Sequence, residues 1–436
     1  MFTHHNLRID ANRLSHTSST TYLYAHSRLL SLERNLKKHY ILSFIILLAA
    51  SNIMLHSIKP VEAITISPFG PPIRISTNTY ASLVPSVAAS GSYMYVAWQD
   101  YTPVSGSGTE REIWLRVSSN NGASFGSPIR ISTNTYASGY PSVAAVDSYV
   151  YVAWHDDTPV SGSGGTFEIW MRISSNNGGS FGSPIRITTN TYRSLSPSVA
   201  ASGSYVYVAW HDYTPVSGSG TEPEIWLRVS SNNGASFGPA IRITTNTYWS
   251  AGGSVAASGS YVYVAWEDAT PVSGSGTARE IWLRVSSNNG ASFGSPIRIS
   301  TNTYDSLAPS VAAYDSYVYV AWHDWTPVSG SGGQSEIWLR VSSNNGASFG
   351  PAIRISTNTY ASYIPSVAAS GSYVYVAWED TTPVSGSGTL PEIWLRVSSN
   401  NGASFGSPIR ISYNTYHSGY PSVAASGLYV YVAWAD

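Results

Sequence analysis

The tetrapeptide YVAW at Tyr95–Trp98 decides the fold of this 436-residue chain, because it returns at a constant interval of 56 residues. Its tryptophans are Trp98, Trp154, Trp210, Trp266, Trp322, Trp378 and Trp434. A fixed period of this length indicates a repeat architecture in which each copy is one supersecondary unit. No insertion or deletion interrupts the interval, so we expect the copies to be geometrically equivalent.

Each copy contains four segments that we interpret as β-strands. In the second copy, a short segment of small residues follows Pro141, and YVYVAW (149–154), EIWMRIS (168–174) and SPIRIT (183–188) come after it. Turns rich in glycine, serine and asparagine separate the segments. Four antiparallel strands repeated radially form the blades of a β-propeller, so we predict an all-β propeller, with a β-solenoid as the alternative.

The two ends of the chain carry complementary halves of a blade. After six full copies between Pro85 and Ser412, residues 421–434 add an inner pair of strands that has no outer pair. Near the other end, residues 62–76 (EAITISPFGPPIRIS) align with an outer pair whose hairpin is shortened. We therefore predict seven blades closed by pairing of N- and C-terminal strands, which pairs the free strand edges, with six blades as the alternative.

The third strand of each blade has one polar face. Glu112, Trp114 and Arg116 alternate with apolar residues and therefore point to the same side. Both sides of a blade pack on neighbouring blades, so we expect Glu112, Arg116 and Arg130 to satisfy one another, with a guanidinium stacked on the indole.

The composition beyond residue 63 excludes several functional classes. Residues 64–436 contain 16 arginines and 21 acidic residues, and they contain neither lysine nor cysteine. A Schiff-base lysine and a thiolate nucleophile are therefore excluded there. The formal charge of −5 lacks the basic footprint of a nucleic-acid binder, so we expect no nucleic-acid partner. We also expect no cofactor and no metal, because His155, His211 and His323 recur singly without a spaced second ligand.

Residues 1–63 are predicted to form a polar leader followed by a signal peptide or anchor. Lysines at 37 and 38 precede an apolar core at 41–55, and Val61–Ala63 offers small residues to signal peptidase. The core is shorter than the ~20 residues that a membrane span needs, so cleavage is favoured over an uncleaved membrane anchor. The propeller would then occupy 64–436 and would be secreted or attached to the cell surface, as a monomer.

The turn between the third and fourth strands, SSNNGASF at 118–125, resembles the Asp-box (BNR repeat) of sialidase-like propellers. Asn120 replaces the aspartate of that pattern, Ser124 its threonine and Phe125 its tryptophan. The repeat is also similar to that of secreted archaeal sialidase-like proteins of unknown activity. In sialidases these boxes lie on the face remote from the active site, so the resemblance implies a folding role. That role would fall to Ser118, Asn120, Gly122, Ser124 and Phe125.

Differences between the copies collect in the loops expected at the opposite end of the blades. Exposed loops tolerate change, and drift is one explanation of this location. It does not explain the bias towards tyrosine, tryptophan, histidine and arginine, which are typical of binding surfaces. The candidate ligand-binding residues are Trp249, Trp325, Arg193, Tyr101, Tyr140, Tyr213, Tyr363, Tyr420, His155, His211, His323 and Asp305.

Blades that are nearly identical suit a multivalent binder better than an enzyme with one axial site. Each copy offers a carboxylate such as Asp100, an amide such as Asn78 and an aromatic ring such as Tyr80, the groups that recognise a sugar. The alternative role for Asp100 is to cap the turn that follows it. We predict a glycan- or protein-binding module whose partner is a carbohydrate, a cell-surface glycoconjugate or another extracellular protein.

Two other functions stay open. The resemblance implies that an exo-sialidase-like glycoside hydrolase would need three arginines, a tyrosine paired with a glutamate, and an aspartate. Only Arg111, Arg193 and Arg279 depart from the repeated arginine pattern, and no catalytic residue can be assigned. Carboxylates for hydrolysis could come from Glu267, Asp268, Asp305 or Glu379. A passive structural repeat protein is the remaining possibility.

Overall fold

The structure is a computed structural model. It describes residues 21–26, 69–104, 110–161, 165–216, 221–273, 276, 278–384 and 390–436. Within these ranges all regular structure is β-strand, and the strands form antiparallel four-stranded sheets. The predicted all-β propeller with a 56-residue repeat is therefore confirmed.

The strands of the chain's two ends and of the first three blades are β1 (Thr21–His26), β2 (Ile73–Arg74), β3 (Ser82–Ser90), β4 (Tyr93–Asp100), β5 (Glu112–Ser118), β6 (Ile129–Arg130), β7 (Ser138–Val146), β8 (Tyr149–Asp156), β9 (Glu168–Ser174), β10 (Ile185–Arg186), β11 (Ser194–Ser202), β12 (Tyr205–Asp212), β13 (Glu224–Ser230) and β14 (Ile241–Arg242). The remaining strands are β15 (Ser250–Ser258), β16 (Tyr261–Asp268), β17 (Glu280–Ser286), β18 (Ile297–Arg298), β19 (Ser306–Tyr314), β20 (Tyr317–Asp324), β21 (Glu336–Ser342), β22 (Ile353–Arg354), β23 (Ser362–Ser370), β24 (Tyr373–Asp380), β25 (Glu392–Ser398), β26 (Ile409–Arg410), β27 (Gly419–Ser426) and β28 (Tyr429–Ala435).

Six blades are each built from one continuous copy of the repeat. In the first blade the order is β3-β4-β5-β6 from the propeller axis outwards, and the other five blades repeat this order. The register places Trp98 opposite Trp114 and Asp100 opposite Glu112. We number these blades one to six along the chain, beginning at β3, β7, β11, β15, β19 and β23.

A further four-stranded sheet, the closing sheet, joins the two ends of the chain in the order β27-β28-β1-β2. The ring closes at this sheet, because the Val87 N–H donates to Ser422 Oγ at 3.1 Å. The equivalent bond between blades one and two joins the Val143 N–H to Ser86 Oγ at 3.0 Å. The prediction that N- and C-terminal strands pair is therefore confirmed. The prediction gave seven blades, with six as the alternative. Six blades are built from continuous copies of the repeat, and the closing sheet is a further sheet composed of strands from both ends of the chain.

The third strand of the closing sheet is not the one that the sequence indicated. Residues 62–76 were expected to supply both outer strands, but only Ile73–Arg74 does so. The third position is held by β1, Thr21–His26, which pairs with β28 in the register Tyr22 opposite Trp434. Its sequence TYLYAH alternates as YVYVAW does, so it suits a strand edge equally well. Residues 27–68, with the apolar core at 41–55, lie outside the described residues.

The core lies between the blades. Between blades one and two, Ile113 and Leu115 of β5 pack with Val152 and Trp154 of β8, and all four are buried. The same contacts recur around the ring. Because this core fixes each blade against the next, the two ends of the blades form two broad faces. The Asp-box face carries the turns between first and second strands and the hairpins between third and fourth strands. The variable face carries the loops between second and third strands and the links between blades.

Candidate functional site

The Asp-box hairpins form closed hydrogen-bond networks of their own. In blade one, Ser118 Oγ accepts the Gly122 N–H at 2.9 Å, and Asn120 Oδ1 accepts the Ser124 N–H at 2.9 Å. The Asn120 side-chain amide donates to Ser124 Oγ at 2.8 Å. Gly122 has a φ of 81°, which favours glycine, and the half-buried Phe125 packs against the neighbouring apolar cluster. These contacts hold the two outer strands together and leave few polar atoms for a ligand.

The repeated aspartate after each tryptophan is bound inside the protein. Asp100 Oδ2 accepts the Trp98 Nε1–H at 2.8 Å, the Ser82 hydroxyl at 2.7 Å and the Asn78 amide at 2.5 Å. Its Oδ1 accepts the Thr102 N–H at 2.8 Å, which caps the turn. The Asp100 carboxylate is buried and the Asn78 amide is bonded to it, so neither group is available to bind a sugar. Of the two roles considered for Asp100, the structure shows the capping role.

A second repeated network lies beside the first. Glu112 is fully buried and accepts hydrogen bonds from Arg130 Nη2 at 2.6 Å and from the Ser132 hydroxyl. Burial raises the pKa of Glu112, and the bonds from Ser132 and Arg130 oppose that rise. The expected third member, Arg116, is absent from this network, because its Nη1 donates to the Ile75 carbonyl of the closing sheet at 2.9 Å. Arg116 thus links two sheets instead of completing the Glu112 pair.

One repeated aromatic residue of the variable face is exposed. The tyrosine of each TNTY link is between 41% and 70% exposed. Its backbone is fixed, because its N–H donates to the side-chain oxygen of the preceding asparagine, at 3.1 Å for Tyr80 and at 2.8 Å for Tyr248. We call these residues the tyrosine crown. Its members are Tyr80, Tyr136, Tyr192, Tyr248, Tyr304, Tyr360 and Tyr416.

The residue before the repeated aspartate joins neighbouring blades in several copies. Gln99 accepts the Tyr140 N–H at 3.1 Å, and Glu379 accepts the Tyr420 N–H at 2.5 Å. Glu267 accepts the Ala308 N–H at 3.0 Å in the same way. The three predicted ligand histidines occupy equivalent positions in blades two, three and five.

These histidines are largely withdrawn from solvent. His155 is 4% exposed and His323 is 7% exposed, while His211 is half-buried. Burial, together with the nearby Arg111, lowers the pKa of His155 to about 3. Burial lowers the pKa of His211 and of His323 to about 4. They are therefore neutral at physiological pH. Among the described residues no three His, Asp or Glu side chains converge as metal ligands would.

Irregular residues of blades one to three gather around His155. Tyr140 is 43% exposed and its ring centroid lies 5.1 Å from that of His155, and Phe167 lies 5.0 Å from His155 on another side. The Arg193 guanidinium lies 5.7 Å from the Phe167 ring centroid and 6.0 Å from that of Tyr213. We call Arg111, Tyr140, Phe167, Arg193 and Tyr213 the cationic cluster.

Blades four to six and the closing sheet carry a different set. Arg279 stacks on Trp249 at 5.6 Å, and its Nη2 lies 3.4 Å from Asp305 Oδ2. The Tyr363 ring lies 5.7 Å from His323 and 6.0 Å from Trp325. Trp249, Trp325 and Tyr363 are half-buried.

Acidic groups accompany those aromatic rings. Glu267 lies near Arg279 and Asp305, and burial raises its pKa. Burial raises the pKa of Glu379 to about 7. Tyr420 is 40% exposed beside Glu379, and burial raises the Tyr420 pKa. The half-buried Tyr101 contacts the link before β3 through its N–H, which donates to the Ala81 carbonyl at 3.0 Å. The predicted residues thus lie on one face but divide into two groups.

Three residues outside the candidate set complete these groups. A Cβ placed on Gly139 would lie 2.8 Å from Arg111 Nε and 3.0 Å from His155 Nε2, so only glycine lets these groups approach. Phe167 supplies a ring to Arg193, and Arg111 reaches His155. Phe167 is found in one copy only, whereas Arg111 is shared with Arg279 and Gly139 with Gly419. This departure from most other copies is the signal that could have identified them.

Two cavities lie away from these groups. One of about 180 Å³ lies between blades two and three, beside Trp210, Trp226 and Arg228. The other, of about 470 Å³, lies along the Asp-box hairpins of blades three and four, near Phe237 and Asn288. Neither is lined by a candidate ligand-binding residue. In the described part of the chain, no helix has the length and apolar character to cross a bilayer.

Comparison with known proteins agrees with the repeat architecture. Four segments match the LVIVD repeat family: residues 83–102, 196–214, 251–270 and 363–381. No curated protein sequence matches the chain. The repeats and the blades together identify a repeat β-propeller.

Solved structures with a similar fold include glycoside hydrolases. A Hadza microbial sialidase is 11% identical with a TM-score of 0.45, over 69% of this chain and 63% of that one. An α-L-arabinanase of Penicillium chrysogenum is 14% identical with a TM-score of 0.49, over 72% and 92%. The sialidase of Trypanosoma rangeli is 11% identical with a TM-score of 0.45, over 76% and 55%. The chain thus spans less than two thirds of the two sialidases, and TM-scores below 0.5 say nothing about ligands.

Proposed function

We propose that this protein binds carbohydrate through its variable face, using the tyrosine crown as a set of equivalent weak sites. The observation that carries the proposal is the contrast in exposure between repeated residues of that face. The repeated carboxylates are buried and bonded internally, whereas the repeated tyrosines are exposed on fixed backbones. An exposed ring with a phenolic hydroxyl offers an apolar surface to a sugar ring and a hydrogen bond to its hydroxyls.

Repetition favours binding to a ligand that itself repeats. Each crown tyrosine is held by its asparagine, so little conformational entropy of the loop is lost on binding. Several weak contacts to one polysaccharide or one glycan-covered surface add avidity, which can exceed single-site affinity by about 10²-fold or more. The partner class is therefore a polysaccharide or a cell-surface glycoconjugate. Another extracellular protein is the competing partner, and it would leave a glycan array silent.

The test is a glycan array with the full chain and two variants. Replacing Tyr248, Tyr304 and Tyr360 with alanine removes adjacent members of the crown, and we expect apparent affinity to fall by about tenfold or more. Tyr314→Ala is the matched control, because Tyr314 is a 39% exposed tyrosine on the Asp-box face. The control should bind as the natural protein does. A silent array, or equal losses in the triple variant and the control, would contradict the proposal.

Glycoside hydrolysis is the alternative function, and the observation in its favour is Glu379. A carboxyl group whose pKa is raised to about 7 is suited to proton transfer at neutral pH, and it lies beside Tyr420. Gln99 makes the same contact with Tyr140 and is not titratable, so blade packing also accounts for the contact between Glu379 and Tyr420. Turnover of a fluorogenic sialoside that Glu379→Gln abolishes would establish the hydrolase. A passive scaffold would show neither turnover nor binding.

We propose an exported location as well, on the basis of the apolar core at 41–55. Cleavage before Ile64 would remove the β1 strand from the mature chain, whereas an uncleaved anchor would keep it. The mass of the mature protein from its natural host separates the two. Recovery of the protein from the cell interior would contradict export.

A further inference from the structure

The cationic cluster holds two arginines that form no ion pair among the residues that the structure describes. In the described part of the chain, every arginine of the fourth strands in blades one to six forms an ion pair with a buried glutamate, and Arg279 pairs with Asp305. Neither Arg111 nor Arg193 has a carboxylate within ion-pair distance in those same residues. Arg193 has no arginine counterpart in any other copy, whereas Arg111 shares its position with Arg279 alone.

Arg111 is poorly satisfied by its neighbours. Its Nε is buried without a hydrogen-bond partner among the described residues, and its Nη2 lies 3.4 Å from His155 Nε2. The Ser196 N–H also points to His155, at 3.4 Å from Nδ1. A neutral imidazole has one acceptor nitrogen, so it cannot serve both donors. At least one donor around His155 is therefore left for another acceptor.

The positive charges around His155 lie close together. The nearby Asp157 carboxylate accepts the Ala137 N–H at 2.7 Å and forms no ion pair with either arginine among the described residues. Both Arg111 and Arg193 contribute to the lowered pKa of His155, after its burial. Repulsion between these charges destabilises the ligand-free protein. A bound anion offsets this cost, because it accepts charge-assisted hydrogen bonds from the guanidinium groups. The acidic side chains Glu267, Asp305 and Glu379 lie with blades four to six, away from the cluster.

Aromatic rings lie beside the Arg193 guanidinium and beside His155, which Arg111 approaches. Phe167 and Tyr213 both lie within about 6 Å of Arg193, and the exposed Tyr140 lies next to His155. Rings beside a cation suit a ligand that carries a negative group on a sugar ring, since the ring faces contact the sugar while the guanidinium binds the charge. A free inorganic anion would make no use of these rings.

We propose that the cationic cluster is a subsite for the anionic groups, carboxylate or sulfate, of an acidic polysaccharide. This inference rests on the proposed carbohydrate binding and adds the class of sugar. Arg111 and Arg193 bind the negative group, and Tyr140, Phe167 and Tyr213 contact the sugar that carries it. Gly139 is a positioning residue, because a side chain there would displace Arg111 from His155.

The test compares three polymers with one backbone: dextran, carboxymethyl-dextran and dextran sulfate, each immobilised for biolayer interferometry with the full chain. We expect the polymer with the preferred anion to bind about tenfold more tightly than dextran in 50 mM salt, with a smaller difference in 200 mM salt. The two charged polymers separate carboxylate from sulfate recognition. Equal binding of all three polymers would overturn the proposal, and so would equally tight binding of duplex DNA.

Variants assign that preference to the cluster. Arg111→Gln combined with Arg193→Gln should abolish the preference for the charged polymer. Arg279→Gln is the matched control and should preserve it, because Arg279 already has Asp305. Gly139→Leu, which copies Leu195 and Leu307 of other blades, should weaken the preference without removing a charge. A preference that survives in the double variant, or that is lost equally in the control, would overturn the assignment.

Failure of this inference is distinguishable from failure of the proposed function. If neutral glycans on the array bind and need the tyrosine crown, carbohydrate binding stands even when the charged polymers gain nothing. If the array and all three polymers are silent, both proposals fail. Circular dichroism of each variant shows whether a loss reflects unfolding. Where the double variant fails to fold, Gly139→Leu carries the test alone.

Discussion

Two neighbouring sets of residues at the variable face differ in what they do. The repeated carboxylates, typified by Asp100 and Glu112, are the same in nearly every copy and are bonded within their own blade. The residue just before these aspartates differs among the copies and, in the case of Gln99, Glu267 and Glu379, contacts the next blade. Adjacent residues of one strand thus have different roles: the aspartate stabilises its own blade, and the residue before it distinguishes one blade from another. Identity between copies therefore reflects folding where the repeated residue is buried, and we assign binding to exposed residues, namely the repeated tyrosine crown and the residues that differ between blades.

The largest expected effect belongs to the repeated set. Glu280→Ala removes the partner of Arg298 and of the Ser300 hydroxyl inside blade four. Breaking a buried pair on one side costs about 3–5 kcal/mol, and the free energy of unfolding should fall by that amount. Urea unfolding followed by circular dichroism measures it. A loss below about 1 kcal/mol would show that the repeated network is not what stabilises the blade.

The next effect comes from a variable residue and depends on pH. Burial raises the pKa of Glu379 to about 7 from an ordinary 4.5, so the folded protein binds this proton more tightly than the unfolded chain does. Protonated Glu379 therefore contributes up to about 3 kcal/mol to the free energy of unfolding. This contribution is fully present below pH 4.5 and is lost as the pH rises to 7.

Glu379→Gln should therefore gain stability relative to the natural protein as the pH rises from 4.5 to 7.5. Glutamine can still accept the Tyr420 N–H, so the fold should persist. Unfolding curves of both proteins at several pH values give the difference, in which all other titrations cancel. A difference that stays constant with pH would mean that Glu379 is ionised in the folded protein as it is in water.

His155 should have the opposite dependence. Its pKa is lowered to about 3 from an ordinary 6.5, so stability is complete above pH 6.5 and is lost as the pH falls towards 3. At pH 5 the loss is about 2 kcal/mol. His155→Gln copies the residue that blade one has at this position and should remove the loss. Thermal melts at pH 7 and pH 5 test this, and an equal acid sensitivity of both proteins would contradict it.

The smallest effect is expected on the Asp-box face. Asn232→Ala removes one side chain that accepts the Ser236 N–H at 2.9 Å and donates to Ser236 Oγ at 2.9 Å. Because this hairpin is partly exposed, the expected loss is about 1 kcal/mol. Carbohydrate binding should not change in this variant. Normal stability with lost binding would reverse the roles assigned to the two faces.

Much of this fold follows from the sequence, because the period and the strand alternation repeat too regularly to have another meaning. The third strand of the closing sheet does not follow from the sequence, since TYLYAH at 21–26 and EAITIS at 62–67 both have a strand-like pattern that suits the free edge of β28. Asp100 could be read as a cap or as a ligand, and only its four donors in the structure decide for the cap.

The candidate site was only partly predictable. Sequence differences pointed to the loops that gather on the variable face, but they could not show that His155 is buried beneath Tyr140 or that Phe167 meets Arg193. Those contacts join different loops and blades, and no spacing within one repeat encodes them. The role of Gly139 depends on a space that only the packed blades define.

The central claim is that ligands meet the variable face and leave the Asp-box face untouched. Hydrogen exchange measured by mass spectrometry, with and without the polysaccharide that binds most tightly, tests it directly. We predict added protection in the links that carry the tyrosine crown and around Arg111 and Arg193, and unchanged exchange in hairpins such as 118–126. Protection confined to those hairpins would contradict the account.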